Sequence, residues 1–230
     1  MIDDAATRAI AALYRPLTSG RWVLRMGGTV LMRGYWSPPQ FVEMIALTRD
    51  GKTWMSLTAF EVESQQIGVE AARGSVVFMG LGMGWAAAAT ALKPEVRAVT
   101  VVECDPDVIA MHAELDLFSQ LPGGAGEKVR IVAGDALEWR ADAPVDLLMA
   151  DIWLPLQSEG RVEEVRRMAA NAGANAVYFW GQEMEIARRA PDCDPTGVAA
   201  AVAEMGLPLV GPERGDYSQL VRAAAAAWLR

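Results

Sequence analysis

Val76-Val77-Phe78-Met79-Gly80-Leu81-Gly82-Met83-Gly84-Trp85 is an apolar run that opens into three alternating glycines. A second apolar run follows and ends in an acid: Val101-Val102-Glu103-Cys104-Asp105, with Glu103 nineteen residues after Gly84. Continuous β-branched and aliphatic runs of this length read as strands buried on both faces, and glycines between a strand and a helix mark a tight turn. Without a Cβ, Gly80 and Gly82 let backbone approach a ligand, and Gly84 lets the next helix start against the sheet. An acid at the tip of the following strand can accept hydrogen bonds from a ribose diol. The pair is therefore a nucleoside-binding pattern. Its plainer alternative is a tight strand-to-helix turn with no ligand.

The spacing is G-x-G-x-G rather than the G-x-G-x-x-G that cradles a dinucleotide pyrophosphate. Nothing else in the chain calls for a pyrophosphate. This favours S-adenosylmethionine over a nicotinamide dinucleotide.

Outward from that stretch the pattern alternates. Strands are predicted at 75–79, 98–103, 128–132, 145–150 and 175–180, and helices near 84–92, 106–118, 160–172, 182–189 and 195–205. Such alternation demands a mostly parallel sheet covered by helices on both faces, with ligands at the carboxyl ends of its strands. Leu207-Pro208-Leu209-Val210 could add a short strand, and 217–229 is a good helix former. Before the glycine turn the character changes. Residues 3–14 predict a helix stopped near Pro16, and Trp22–Met26 and Thr29–Arg33 flank Gly27-Gly28 as a hairpin. Met44–Thr48 and Thr53–Thr58 flank Arg49-Asp50-Gly51-Lys52 as a second one. Residues 59–72 predict a helix at the boundary. The expected fold is α/β, a Rossmann-like sheet over 59–230 preceded over 1–58 by a small antiparallel β-hairpin unit.

Strand ends then supply the candidate residues. Asp135, in Ala133-Gly134-Asp135-Ala136, could accept from an adenine amino group or cap a helix. Asp151 closes the very apolar Leu147-Leu148-Met149-Ala150. It is the candidate for orienting or deprotonating a nucleophile, with a solvated strand end as the alternative. Trp153 could wall a substrate pocket or pack beneath the next helix. Phe179-Trp180-Gly181-Gln182 brings aromatic and amide surface to the rim. His112 lies inside a helix and is expected at the surface, and Cys104 is expected as a small apolar filler.

Composition bounds the rest. The 230 residues are 52% hydrophobic, enough for a sizeable core. The net charge of -8 with no basic stretch disfavours a nucleic-acid partner. Two cysteines outside any CxxC pair predict no metal motif and fit a reducing cytoplasm. The acidic start is not expected to be a signal peptide, and no run suggests a membrane span. Edge strands in the β unit suit a homodimer.

Together these residues resemble the class I S-adenosylmethionine-dependent methyltransferases, and among them the spermidine synthase-like aminopropyltransferases, over residues 40–180. Phe78 stands where most methyltransferases place an acid and aminopropyltransferases stay apolar. Val101–Val108, Gly134-Asp135-Ala136 and the pair Asp146 and Asp151 are similar to that group's second, third and fourth motifs, and Glu61–Gln65 is similar to its lid helix. The resemblance implies S-adenosylmethionine or its decarboxylated form as cofactor, held by Gly80, Gly82, Gly84, Glu103 and Asp135. It implies Asp151 serving the acceptor, with Gln65, Trp153 and Gln182 around the substrate. Two positions depart from the aminopropyltransferase pattern. Leu154 precedes Pro155 where an acid is usual, and Gln65 stands where a tyrosine helps hold the diamine. Three functions follow: methyl transfer to a small molecule, aminopropyl transfer to an amine, and non-catalytic nucleoside binding.

Overall fold

The computed structural model describes residues 4–229. It holds two sheets. The first is antiparallel, in the order β1 (Leu17–Ser19), β2 (Trp22–Met32), β3 (Gln40–Arg49), β4 (Lys52–Leu57), and is preceded by helix α1 (Asp4–Ala11). Helix α2 (Ala59–Ala71) leads into the second sheet. That sheet contains β5 (Gly74–Met79), β6 (Val96–Glu103), β7 (Val129–Ala133), β8 (Leu147–Ala150) and β9 (Val177–Phe179), all parallel, in the order β7-β6-β5-β8-β9. Helices α3 (Trp85–Ala91), α4 (Pro106–Leu115) and α5 (Arg161–Ala172) lie between these strands, and α6 (Gln182–Arg189), α7 (Pro195–Met205) and α8 (Tyr217–Trp228) follow β9.

The fold is Rossmann-like, and its strand order locates the site. The chain runs from β5 outward to β6 and β7, then returns to place β8 on the other side of β5. Connections leaving β5 and β8 diverge there, so a crevice opens beyond the carboxyl ends of these strands. The strands are apolar because helices cover both faces: Met79, Val99, Val101 and Leu148 are fully buried. Each such side chain contributes about 1.5–3 kcal/mol relative to an exposed one.

The structure departs from the sequence expectations at several elements. Gly27-Gly28 is not a hairpin turn. β2 runs through it as one strand of 11 residues, and the irregularity is absorbed as a register shift between Met26 and Thr29 against β3. The chain reverses instead between Met32 and Gln40, where Pro38 and Pro39 cannot donate to a ladder. The second hairpin is as expected, closed at Asp50-Gly51. The segment from Leu207 to Val210 forms only a bridge, Val177 with Leu209, because Pro208 lacks a donor. The predicted helix over 3–14 is α1, and residue 3 lies outside the described residues. No helix among the described residues is long and apolar enough to cross a membrane.

Candidate functional site

A cavity of about 220 Å³ lies at the switch point, between the two sheets. Its floor is the turn from Gly80 to Trp85. The start of that turn is tied on both sides: Gly80 N–H donates to the Val102 carbonyl at 2.8 Å, and Asp151 N–H donates to the Met79 carbonyl at 2.9 Å. Gly80 takes φ 98°, and a Cβ there would run into the Asp151 carbonyl oxygen. Gly82 takes φ 49°, and a Cβ there would run into the Met55 sulfur of β4. Tertiary neighbours therefore demand these glycines even before a ligand is considered. Met55 reaches the turn directly, its sulfur accepting from Met83 N–H at 3.3 Å.

Glu103 is buried at the tip of β6 and lines the cavity. One carboxylate oxygen accepts from Leu81 N–H at 2.9 Å, the other from Asp105 N–H at 2.8 Å. A carboxylate oxygen offers two acceptor sites, so capacity for a diol remains on each. Asp105 caps α4 by accepting from Asp107 N–H, and its other oxygen accepts from the Trp22 indole at 2.9 Å. The antiparallel sheet thus closes one side of the site. Trp22 and Trp54 meet edge to face at 5.2 Å, with the Arg49 guanidinium over both rings.

Across the cavity stand two acids and an amide. Gln65 Nε2 donates to Asp151 Oδ2 at 2.8 Å. Burial pushes the Asp151 carboxyl up to about 7, against the opposing pull of Arg161 and the Gln65 hydrogen bond. Glu61, one turn before Gln65 on α2, is 8% exposed, and its Oε2 has no partner among the described residues. Burial first, and the nearby Asp151 charge second, hold Glu61 well above the carboxylate range. Trp153 and Trp180 complete the wall.

The structure brings Gly80, Gly82, Gly84, Glu103, Gln65, Asp151 and Trp153 to one cavity. It does not bring Asp135 or Gln182. Asp135 is exposed and accepts from Leu137 N–H at 2.9 Å, while its neighbours Gly134 and Ala136 line the cavity. A short polar side chain after a strand satisfies the local backbone first. Gln182 is fully buried and donates to the Val210 carbonyl at 3.0 Å and the Tyr217 hydroxyl at 2.7 Å, so it serves the packing of α8. Cys104 is exposed and lines the cavity, not an apolar filler.

His112 is also corrected: it is 4% exposed, not on the surface. Its Nε2 lies 2.9 Å from the Gly82 carbonyl and its ring stacks on Phe118. Burial pushes its pKa down, so the ring is neutral, with the Nε2 proton donated to that carbonyl. It supports the glycine turn from beneath.

Sequence reasoning missed Glu61 and Arg161. Glu61 and Gln65 are four residues apart on a helix and so share a face, which was a usable signal. Arg161 begins α5, where a cation opposes the helix dipole, an anomaly that also marks it. Among the described residues no group of three or more His, Cys, Asp or Glu side chains is placed to hold a metal ion.

No protein-family profile and no curated protein matches this chain. Solved structures do. The glycopeptide N-methyltransferase MtfA, complexed with S-adenosyl-L-homocysteine, is similar at 16% identity over 48% of this chain and 43% of its own, TM-score 0.38. The S-adenosylmethionine-bound amino pentose methyltransferase CalS10 from Micromonospora echinaspora is similar at 18% identity over 49% and 44%, TM-score 0.34. The 23S rRNA methyltransferase ErmE is similar at 16% identity over 57% and 50%, TM-score 0.40. The chain thus spans about half the length of these proteins or less. Likeness at this level assigns no family, and the Rossmann-like class rests on the strand order.

Proposed function

We propose that the protein is an S-adenosylmethionine-dependent methyltransferase acting on a small-molecule acceptor. The observation that carries this reading is a single cavity joining the turn Gly80–Gly84 and Glu103 to the Asp151–Gln65 pair. The donor and acceptor set fits the cofactor: backbone approach at the glycines, and spare acceptor capacity on Glu103 for a ribose diol. When bound, the cofactor supplies a methyl group already activated on a sulfonium.

The protein then has to align and to accept a proton. Gln65 occupies one Asp151 oxygen and leaves the other free to face an acceptor O–H or N–H. A carboxyl near 7 is matched to general-base work at neutral pH. Trp54, Trp153 and Trp180 line the same cavity and give it apolar walls. Residues 1–58 act as the covering unit, through Trp22, Trp54 and Met55. The net charge of -8 favours a small acceptor over a nucleic acid.

Calorimetric titration with S-adenosylmethionine and with its decarboxylated form, side by side, tests the reading. Binding of the first is expected, and binding of neither removes it. Preference for the decarboxylated form would favour aminopropyl transfer to an amine, as in the spermidine synthase-like group. Binding without turnover of any acceptor would favour a non-catalytic nucleoside-binding protein.

A further inference from the structure

Arg161 is 1% exposed, yet it makes no ion pair among the described residues. A buried cation without a carboxylate partner is costly and calls for an explanation. Its partners are main-chain carbonyls. Nη1 donates to Leu156 at 2.5 Å and Trp180 at 3.0 Å, and Nη2 donates to Pro155 at 2.5 Å. Its guanidinium lies over the Trp153 ring at 4.5 Å and the Trp180 ring at 5.6 Å. One side chain therefore joins the segment after β8 to the segment after β9, the two stretches that carry Asp151, Trp153 and Trp180 to the cavity. Trp153 is held from its other edge by Glu164, which accepts from its indole N–H at 2.5 Å.

We propose that Arg161 is the positioning residue of this site: by joining the segments after β8 and β9 it fixes the Trp153–Trp180 wall and, with it, the setting in which Asp151 meets an acceptor. The second half rests on the methyl-transfer reading, whereas the clamp does not. The titratable groups that bear on this cation are Asp151 at the end of β8, Glu185 and Arg188 on α6, and the buried, neutral Tyr35 between β2 and β3. Glu61 on α2 is a second buried acid beside Asp151, the charge of one disfavouring the charge of the other, and Gln65 is neutral. Arg161 is thus the cation that counters a site otherwise lined on this side by two acids. A guanidinium suits the task because its planar fork reaches several carbonyls while its face covers an indole, and an ammonium cannot do both.

The test uses the ligand-free protein, so failure of cofactor binding leaves it standing and its own failure leaves the cofactor reading standing. Protein carrying ¹³C-carboxyl aspartate is titrated by NMR, with Asp151 assigned by its loss in Asp151→Asn. Solvent exchange of the Trp153 indole N–H, assigned with Trp153→Phe, is followed in parallel. Arg161→Met is expected to raise the Asp151 midpoint by about one unit or more. It is also expected to speed indole exchange by roughly tenfold. Arg161→Lys is expected to hold the midpoint within about half a unit, because charge is kept, while exchange still quickens. An unmoved midpoint in folded Arg161→Met overturns the proposal, since a merely structural role would leave Asp151 alone. If that variant does not fold, Arg161→Lys decides: unchanged indole exchange overturns the clamp.

Discussion

Leu81 donates its backbone N–H to Glu103 Oε2 at 2.9 Å, which ties the glycine turn after β5 to the tip of β6. The acid expected to meet the nucleoside is therefore also part of the scaffold that shapes the turn. Glu103→Ala removes both. Nucleoside affinity is expected to fall by roughly 1.5–3 kcal/mol, the range for hydrogen bonds to a charged group. Titration calorimetry reads this, and a loss below about 0.5 kcal/mol would argue that Glu103 serves only the turn.

Gly82→Val places a branched side chain at φ 49° and into the Met55 sulfur. The variant is expected to lose at least about a hundredfold in affinity for S-adenosylmethionine, about 2.7 kcal/mol, with the far-ultraviolet circular dichroism retained. Wild-type affinity in that variant would remove the turn from the binding site.

Asp151→Asn keeps shape but removes the charge and the proton acceptor. Turnover of an identified acceptor is expected to fall by roughly 10² or more, with cofactor affinity little changed. Full turnover would mean that alignment alone suffices.

Three buried carboxyls, Asp151, Glu183 and Glu61, make stability depend on pH in one defined direction. Asp151 and Glu183 are both raised to about 7 by burial, Glu183 despite hydrogen bonds from Tyr35 at 3.0 Å and Tyr217 at 3.2 Å. An acid whose native pKa lies above its unfolded value holds its proton longer in the native state. Its stabilising contribution is complete below the unfolded pKa, and it is lost as pH rises through about 7. The melting temperature is therefore expected to decline from about pH 5 to pH 8. Glu183→Gln, which cannot ionise, should flatten part of that decline. A melting temperature that rises over the same window would contradict both assignments.

The architecture could be read from the sequence because parallel strands are buried on both faces and announce themselves as continuous apolar runs. β5, β8 and β9 follow that rule, whereas β7, Val129-Arg130-Ile131-Val132-Ala133, is only partly covered and was legible from its place in the strand–helix alternation. The glycine turn, Glu103, Asp151 and Trp153 were readable because strand order sends strand ends to one crevice, whereas Gln65, on α2, came only from the resemblance to a lid helix. What stayed hidden depends on partners distant in the chain. Gly27-Gly28 looks like a turn locally, yet β3 pairs across it. His112 looks like a helix-surface residue until the turn at Gly82 lies against it. Gln182 faces α8, and Asp135 turns to its own backbone. Arg161 carried one signal, a cation at a helix start, but its burial could not be read from a segment as polar as Arg161-Val162-Glu163-Glu164.

His112 beneath Gly82, together with Glu103 on Leu81, bears on kinetics. These contacts hold the turn without a ligand, so the ordering cost, about 1–2 kcal/mol for each residue fixed, is met when the chain folds. An arriving nucleoside has no loop to organise. Its rate of entry is then expected to depend on Trp54 and Met55, which line the cavity from the antiparallel sheet.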